Sequence, residues 1–141
     1  MSDALHLEFE VSGNNFVSAG GASDEVKKTL KMLGIAPQFI RKVAIAMYEG
    51  EINMVIHAGG GRAIVDIYRE KIVIVLKDEG PGIPNIELAL TEGYSTATDN
   101  IRDLGFGAGM GLPNMKKYTD EFNLESEVGK GTTVTMVVNF F

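Results

Sequence analysis

Residues 62–83 read RAIVDIYREKIVIVLKDEGPGI, and this stretch decides the fold. Arg62 to Tyr68 and Lys71 to Lys77 are rich in branched side chains, and Arg69-Glu70 between them suffice for a tight turn. The economical reading is an antiparallel hairpin, with Asp78 where its second strand ends and two glycines around a proline just beyond. Upstream, the Gly59-Gly60-Gly61 cluster stops a long helix that Pro37 opens in its first turn and that carries Phe39, Ile40, Val43, Ala44, Met47, Ile52 and Val55. Before it, Ser23 is expected to cap a helix through Val26, Leu30 and Leu33 that stops at Gly34. Leu5, Leu7, Phe9 and Val11 alternate with polar residues and predict a first, half-buried strand.

Downstream of the hairpin, Pro84 to Thr91 fits a short helix, whereas Glu92 to Gly109 has neither helical nor strand periodicity and contains three close glycines. Loops of this length inside a domain often act as lids over ligands. Met110 to Glu121 resumes a helical pattern with Leu112, Met115 and Tyr118 on one side, and the strands Phe122 to Glu127 and Thr132 to Phe140 follow. The sum is an α/β two-layer sandwich, helices on one face of an antiparallel or mixed sheet, expected to form one domain over residues 1–141.

A 45% hydrophobic content over 141 residues suffices for a core, and a net charge of −6 argues against a sequence-independent nucleic-acid binder. No run approaches the roughly 20 apolar residues that span a bilayer, and Met1 to Glu10 lacks a signal-peptide layout, so a cytoplasmic location without membrane association is expected. The absence of cysteine removes thiolate chemistry, and His6 and His57 leave little for a metal site.

Three patterns carry chemistry. Glu49 and Asn53, four apart, stack on one helix face, where a carboxylate and an amide oxygen suit a hard cation such as Mg²⁺ and a hydroxyl that needs a base. Taken alone, the pair is better explained as a solvated polar stripe, and His57, one turn on, as a capping or packing residue. Asp78-Glu79-Gly80-Pro81-Gly82-Ile83 is consistent with an ordinary turn and with an acceptor for an exocyclic amine such as adenine's. Gly105-Phe-Gly-Ala-Gly-Met-Gly111 runs into a helix, an arrangement that aims free backbone N–H groups at phosphates, yet neither a Rossmann nor a Walker context surrounds it. Gly129-Lys130-Gly131-Thr132, by itself, is a hairpin.

In this order, Glu49…Asn53, Asp78…Gly80…Gly82, Gly109…Gly111 and Gly131-Thr132 resemble the boxes of the Bergerat, or histidine-kinase-like, ATP-binding domain shared by gyrase, histidine kinases and mismatch-repair ATPases. Within that superfamily the chain looks most like the bacterial anti-sigma-factor serine kinases and switch kinases of partner-switching pathways, through Asp78 to Pro84, Glu92-Gly-Tyr-Ser-Thr96, Gly111-Leu-Pro113 and Asp120-Glu-Phe122. The resemblance implies ATP or ADP with Mg²⁺ under a lid of about residues 92–109. It implies Glu49 as general base, Asn53 as Mg²⁺ ligand, Asp78 as acceptor of the adenine amine, Gly82 along the base and Thr132 as its support. Gly107, Gly109 and Gly111 would wrap the phosphates, and Gly80, Ile83, Gly105, Met110 and Leu112 complete the nucleotide-binding set it implies.

The activity so implied is ATP-dependent serine/threonine phosphorylation of an anti-sigma-antagonist (STAS-like) protein, with a sigma factor or phosphatase as a further partner and a homodimer compatible with the family. The alternatives are a nucleotide-gated binding module with little phosphoryl transfer, and a detached histidine-kinase-like ATPase domain. The lid segment 95–104 departs from the switch-kinase pattern, so the resemblance does not define how the substrate docks.

Overall fold

The computed structural model describes residues 4–12, 20–80, 82 and 111–140, apart from the side chains of Ser12, Ile56 and His57. In chain order the elements are β1 (Leu5–Ser12), α1 (Gly21–Met32), α2 (Pro37–Ala58), β2 (Gly60–Ile67), β3 (Lys71–Lys77), α3 (Gly111–Lys117), β4 (Glu121–Glu127) and β5 (Gly131–Asn139). The strands form one sheet in the order β1-β2-β3-β5-β4, and all four pairings are antiparallel. The mixed-sheet option is therefore not used among the described residues. β5 pairs with β3 as well as with β4, so the last hairpin reaches back to the first.

Alternation decides which face is covered. Ala63, Val65 and Ile67 of β2, Ile72, Ile74 and Leu76 of β3, and Val134, Met136 and Val138 of β5 are buried and join one core with Val26, Leu30, Val43, Met47 and Met115 from the helices. Of the intervening residues, Glu8, Glu10, Arg62 and Lys77 are exposed and Ile64, Val73 and Val75 half-buried. Gly50 lets α2 come close to the sheet, because a Cβ there would lie 2.0 Å from Leu76 Cδ1 and 3.3 Å from Met115 Sδ. α2 is thus wedged between β3 and α3.

The helix termini follow local rules with two corrections. Pro37 is in the first turn of α2, and Gly59 ends it at φ 72°, its N–H bonded to Met54 O. α1 begins earlier than expected: Gly20, at φ 98°, occupies the cap position, and the Ser23 hydroxyl donates back to Gly20 O instead of capping. α3 ends at Lys117 rather than running to Glu121. The chain turns there because the Asp120 N–H donates to Val137 O and its carboxylate accepts from Asn139 N, tying the exit of the helix to β5. No helix among the described residues is long and apolar enough to cross a membrane.

Candidate functional site

The end of β3 and the start of β5 are joined by more than the ladder. Asp78 N donates to Thr132 O at 3.0 Å, and Asp78 Oδ1 accepts from Thr132 N at 3.1 Å and from Gly80 N at 2.9 Å. One carboxylate oxygen thereby fixes both the turn after β3 and the strand beside it. The other, Oδ2, has no hydrogen-bond partner among the described residues. The Thr132 hydroxyl lies 2.8 Å from the Ser126 hydroxyl on β4, and Ser126 Oγ also donates to Gly131 O at 3.2 Å. Gly131 is needed here: its φ is 136°, and a Cβ would stand 2.1 Å from Asp78 O. Gly82, at φ 82°, lies against Glu127 O in the same corner.

Glu49 and Asn53 are one turn apart on α2, both half-buried. Asn114 of α3 donates its amide N–H to Glu49 Oε1 at 3.4 Å, so the carboxylate is held from the neighbouring helix. Leu112 is buried beneath α3 as part of the core. The C-terminal end of α2 touches the Asp78 corner, since a Cβ on Gly80 would meet Ala58 Cβ at 2.6 Å. At 1.5 Å per residue, α2 separates Glu49 from that corner by about 13 Å. The helix therefore carries both groups on one scaffold, with Asn53 between them.

A cleft of about 1230 Å³ opens at the Asp78 corner, with Ala58, Gly61, Asp78, Ser126, Gly131 and Thr132 in its wall. Its described lining does not include Glu49 or Asn53. Ile83, Gly105, Gly107, Gly109 and Met110, the expected helix at Pro84 to Thr91 and the expected lid lie outside the described residues, as does the side chain of His57. Gly111 is the first residue of α3.

Sequence reasoning missed Glu51. It is only 2% exposed, and its Oε2 accepts from Gly20 N at 2.9 Å and Ala22 N at 3.3 Å while Oε1 accepts from Ser23 N at 2.6 Å. It satisfies the orphan donors at the start of α1 and stitches that helix to α2. Burial pushes its carboxyl above the ordinary value of 4.5, and the donated hydrogen bonds pull the other way. A signal was present, because Glu51 continues the apolar series Ile40, Val43, Met47 at helical spacing, where a solvated residue has no place. Asn114 and Ser126 carried no such mark.

With this geometry in view, the comparison with known families is direct. Residues 40–140 match the family described as histidine kinase-, DNA gyrase B-, and HSP90-like ATPases. The chain belongs to that family. As a histidine-kinase-like ATPase it is expected to hold ATP, and its relatives narrow the branch. It is 30% identical to Serine/threonine-protein kinase RsbT of Bacillus subtilis over 115 residues, 79% of this chain and 80% of the relative. It is also 30% identical to Anti-sigma F factor of Geobacillus stearothermophilus over 140 residues, 95% of this chain and 90% of the relative. A crystal structure of the RsbU and RsbW domains of Rv1364c from Mycobacterium tuberculosis superposes with a TM-score of 0.63 at 14% identity, covering 95% of this chain and 32% of that one. That likeness supports the fold. An ATP-dependent serine/threonine protein kinase of the partner-switching type is the function the named relatives support.

Proposed function

We propose that this histidine-kinase-like ATPase transfers the γ-phosphate of ATP to a serine or threonine of an anti-sigma-antagonist protein in the cytoplasm, and so controls which partner that protein engages. The observation that carries the proposal is the pairing of Glu49 and Asn53 one turn apart on α2, in a chain that resembles RsbT over 79% of its length. Asp78 is oriented by the two N–H groups on Oδ1, leaving Oδ2 as an acceptor for the adenine amine. Thr132, hydrogen-bonded to Ser126, supports the base from β5. Gly82 lies along it, and Gly80 and Ile83 are assigned to the same nucleotide-binding set. Glu49, steadied by Asn114, takes the proton of the incoming hydroxyl as the phosphorus–oxygen bond forms and ADP departs.

The residues also fit Mg²⁺, since Asn53 offers a neutral amide oxygen, a hard donor of the kind that ion prefers. When bound, the ion neutralises phosphate charge. The glycines at 105, 107, 109 and 111, with Met110 and Leu112, are assigned to the triphosphate at the start of α3. The test is transfer of labelled phosphate from ATP to an anti-sigma-antagonist protein. Glu49→Gln is expected to slow transfer by about 10²–10⁴-fold while calorimetric ATP affinity stays within about twofold of wild type. Binding of ATP with no transfer by the wild-type protein would leave a nucleotide-gated binding module instead.

A further inference from the structure

The charge of this chain is segregated. From Val26 to Met47 there are five basic residues, Lys27, Lys28, Lys31, Arg41 and Lys42, and no acidic one. The total is 13 basic and 19 acidic, so the remainder carries 8 − 19 = −11 and this stretch +5. All five side chains are exposed, three on α1 before the α1–α2 turn and two on α2 after it. Lys28 pairs with Glu25 at 3.8 Å, while Lys27, Lys31, Arg41 and Lys42 have no carboxylate within ion-pair distance among the described residues. At the tip of the turn stand two adjacent apolar side chains, Met32 at 87% exposed and Leu33 at 52%.

Helix stability does not account for the pattern. Lys31 is in the last turn of α1, where a cation is favoured, but Arg41 and Lys42 lie in the second turn of α2, where the helix dipole gives a cation no support. The first turn of α2 contains no acidic residue, and its cap position, Ala36, supplies no side-chain bond. Recognition of the base at the Asp78 corner does not account for it either, because Lys42 is about 24 Å along α2 from Ala58, and it precedes Glu49 by about 10 Å on the same helix.

We propose that the α1–α2 turn is a docking surface for an acidic protein partner, one whose carboxylates face these cations around an apolar pocket that receives Met32 and Leu33. An unbranched, flexible methionine suits an aliphatic pocket, and a ring of charges sets orientation and encounter rate. A protein fits better than nucleic acid or an anionic bilayer. Either polyanion would feel the −11 of the remaining molecule, whereas a protein can match the patch locally. The surface is independent of the assignment of nucleotide and substrate above.

The test uses the full chain and a labelled helical peptide of about 20 residues, built from Glu, Leu and Ala with the leucines on one face. Two variants are compared with wild type by fluorescence anisotropy: Lys27→Glu/Lys31→Glu/Arg41→Glu/Lys42→Glu, and Met32→Ser/Leu33→Ser. Every substituted side chain is exposed, and thermal melting verifies that each variant folds. The expected result is saturable binding that each variant weakens about tenfold or more, with the wild-type complex weakening as salt rises. A peptide with Lys in place of Glu should bind at least about tenfold more weakly. The proposal is overturned if the acidic peptide does not bind or binds both variants as tightly as wild type. It is equally overturned if phosphatidylglycerol vesicles or duplex DNA bind through these residues in place of the peptide, or if sedimentation shows them joining two copies of this chain.

Discussion

Among the described residues Glu51, Asp78 and Asp120 accept backbone N–H groups through their carboxylates, and the first two do so in opposite ways. Glu51 is buried, both of its oxygens are taken, and the three donors it serves all belong to the start of α1. Asp78 is half-buried, one oxygen serves Gly80 and Thr132, and the other has no partner among the described residues. The first is a closed joint. The second has the same backbone anchorage but keeps an acceptor in reserve beside a cleft, which is what a recognition group needs: fixed orientation and one unsatisfied bond. Accepting backbone hydrogen bonds therefore does not by itself separate a closed structural carboxylate from one with an acceptor left over.

The harshest way to break the Asp78 corner is Gly131→Ala. It forces an alanine to φ 136° and drives its Cβ to within 2.1 Å of Asp78 O, so a loss of about 3 kcal/mol or more is expected in urea unfolding, together with loss of ATP binding. Stability within about 0.5 kcal/mol of wild type would mean that the corner yields easily.

Asp78→Asn is gentler and separates recognition from architecture. The amide oxygen can still accept from Thr132 and Gly80, but an NH₂ replaces the reserved acceptor. ATP affinity should fall about 10- to 100-fold, or roughly 1.5–3 kcal/mol, with little change in melting temperature. Glu51→Gln should do the reverse, costing about 1–3 kcal/mol of stability and leaving ATP affinity alone, because an amide cannot accept at both positions. If Glu51→Gln weakened ATP binding as much as Asp78→Asn, the contrast between the two sites would collapse.

The Glu51 carboxyl also gives that contrast a pH signature. Its folded value is raised by burial, so its contribution to stability is fully present below the ordinary 4.5 and is lost as pH rises through the folded value. The stability of wild type relative to Glu51→Gln should thus be highest at and below pH 4.5 and fall as pH rises, read from denaturant melts at a series of pH values. The smallest effect belongs to Thr132→Val. It removes the hydroxyl that meets Ser126 while keeping shape and the backbone bonds to Asp78, and about 0.5–1.5 kcal/mol of stability should go with it. An unchanged midpoint would show that Ser126 is fully served by its other bonds.

Much of the fold was legible because its signals are local. Val65, Ile67, Ile72 and Ile74 alternate, Pro37 opens α2 and Gly59 closes it, and each of these depends on a few adjacent residues. The candidate site was proposed from the sequence for another reason: the order of Glu49, Asn53, Asp78, Gly82, Gly131 and Thr132 resembles the motifs of a family. The start of α1 was misread because Ser23 is a good local cap, yet the donors there are met by Glu51, 28 residues away. Asn114 escaped notice likewise, since its partner Glu49 lies 65 residues back and no periodicity encodes that meeting. Exit from α3 at Lys117 was set by Asp120 meeting β5, again a contact between distant segments.

The placement of β5 between β3 and β4 also bears on how the protein folds. The β2–β3 and β4–β5 hairpins can each form from neighbouring residues, but joining them pairs Lys71 with Asn139 and Asp78 with Thr132 across 54 positions in the latter case. Closing a loop of that length carries an entropic cost that neither hairpin pays alone, and such non-local pairings slow folding. The corner holding Asp78, Gly131 and Thr132 comes into being at that docking step and not before. A nascent chain released before β5 would lack the Asp78–Thr132 corner, so on the proposed assignment of that corner to the base, competence to bind ATP reports completion of the fold.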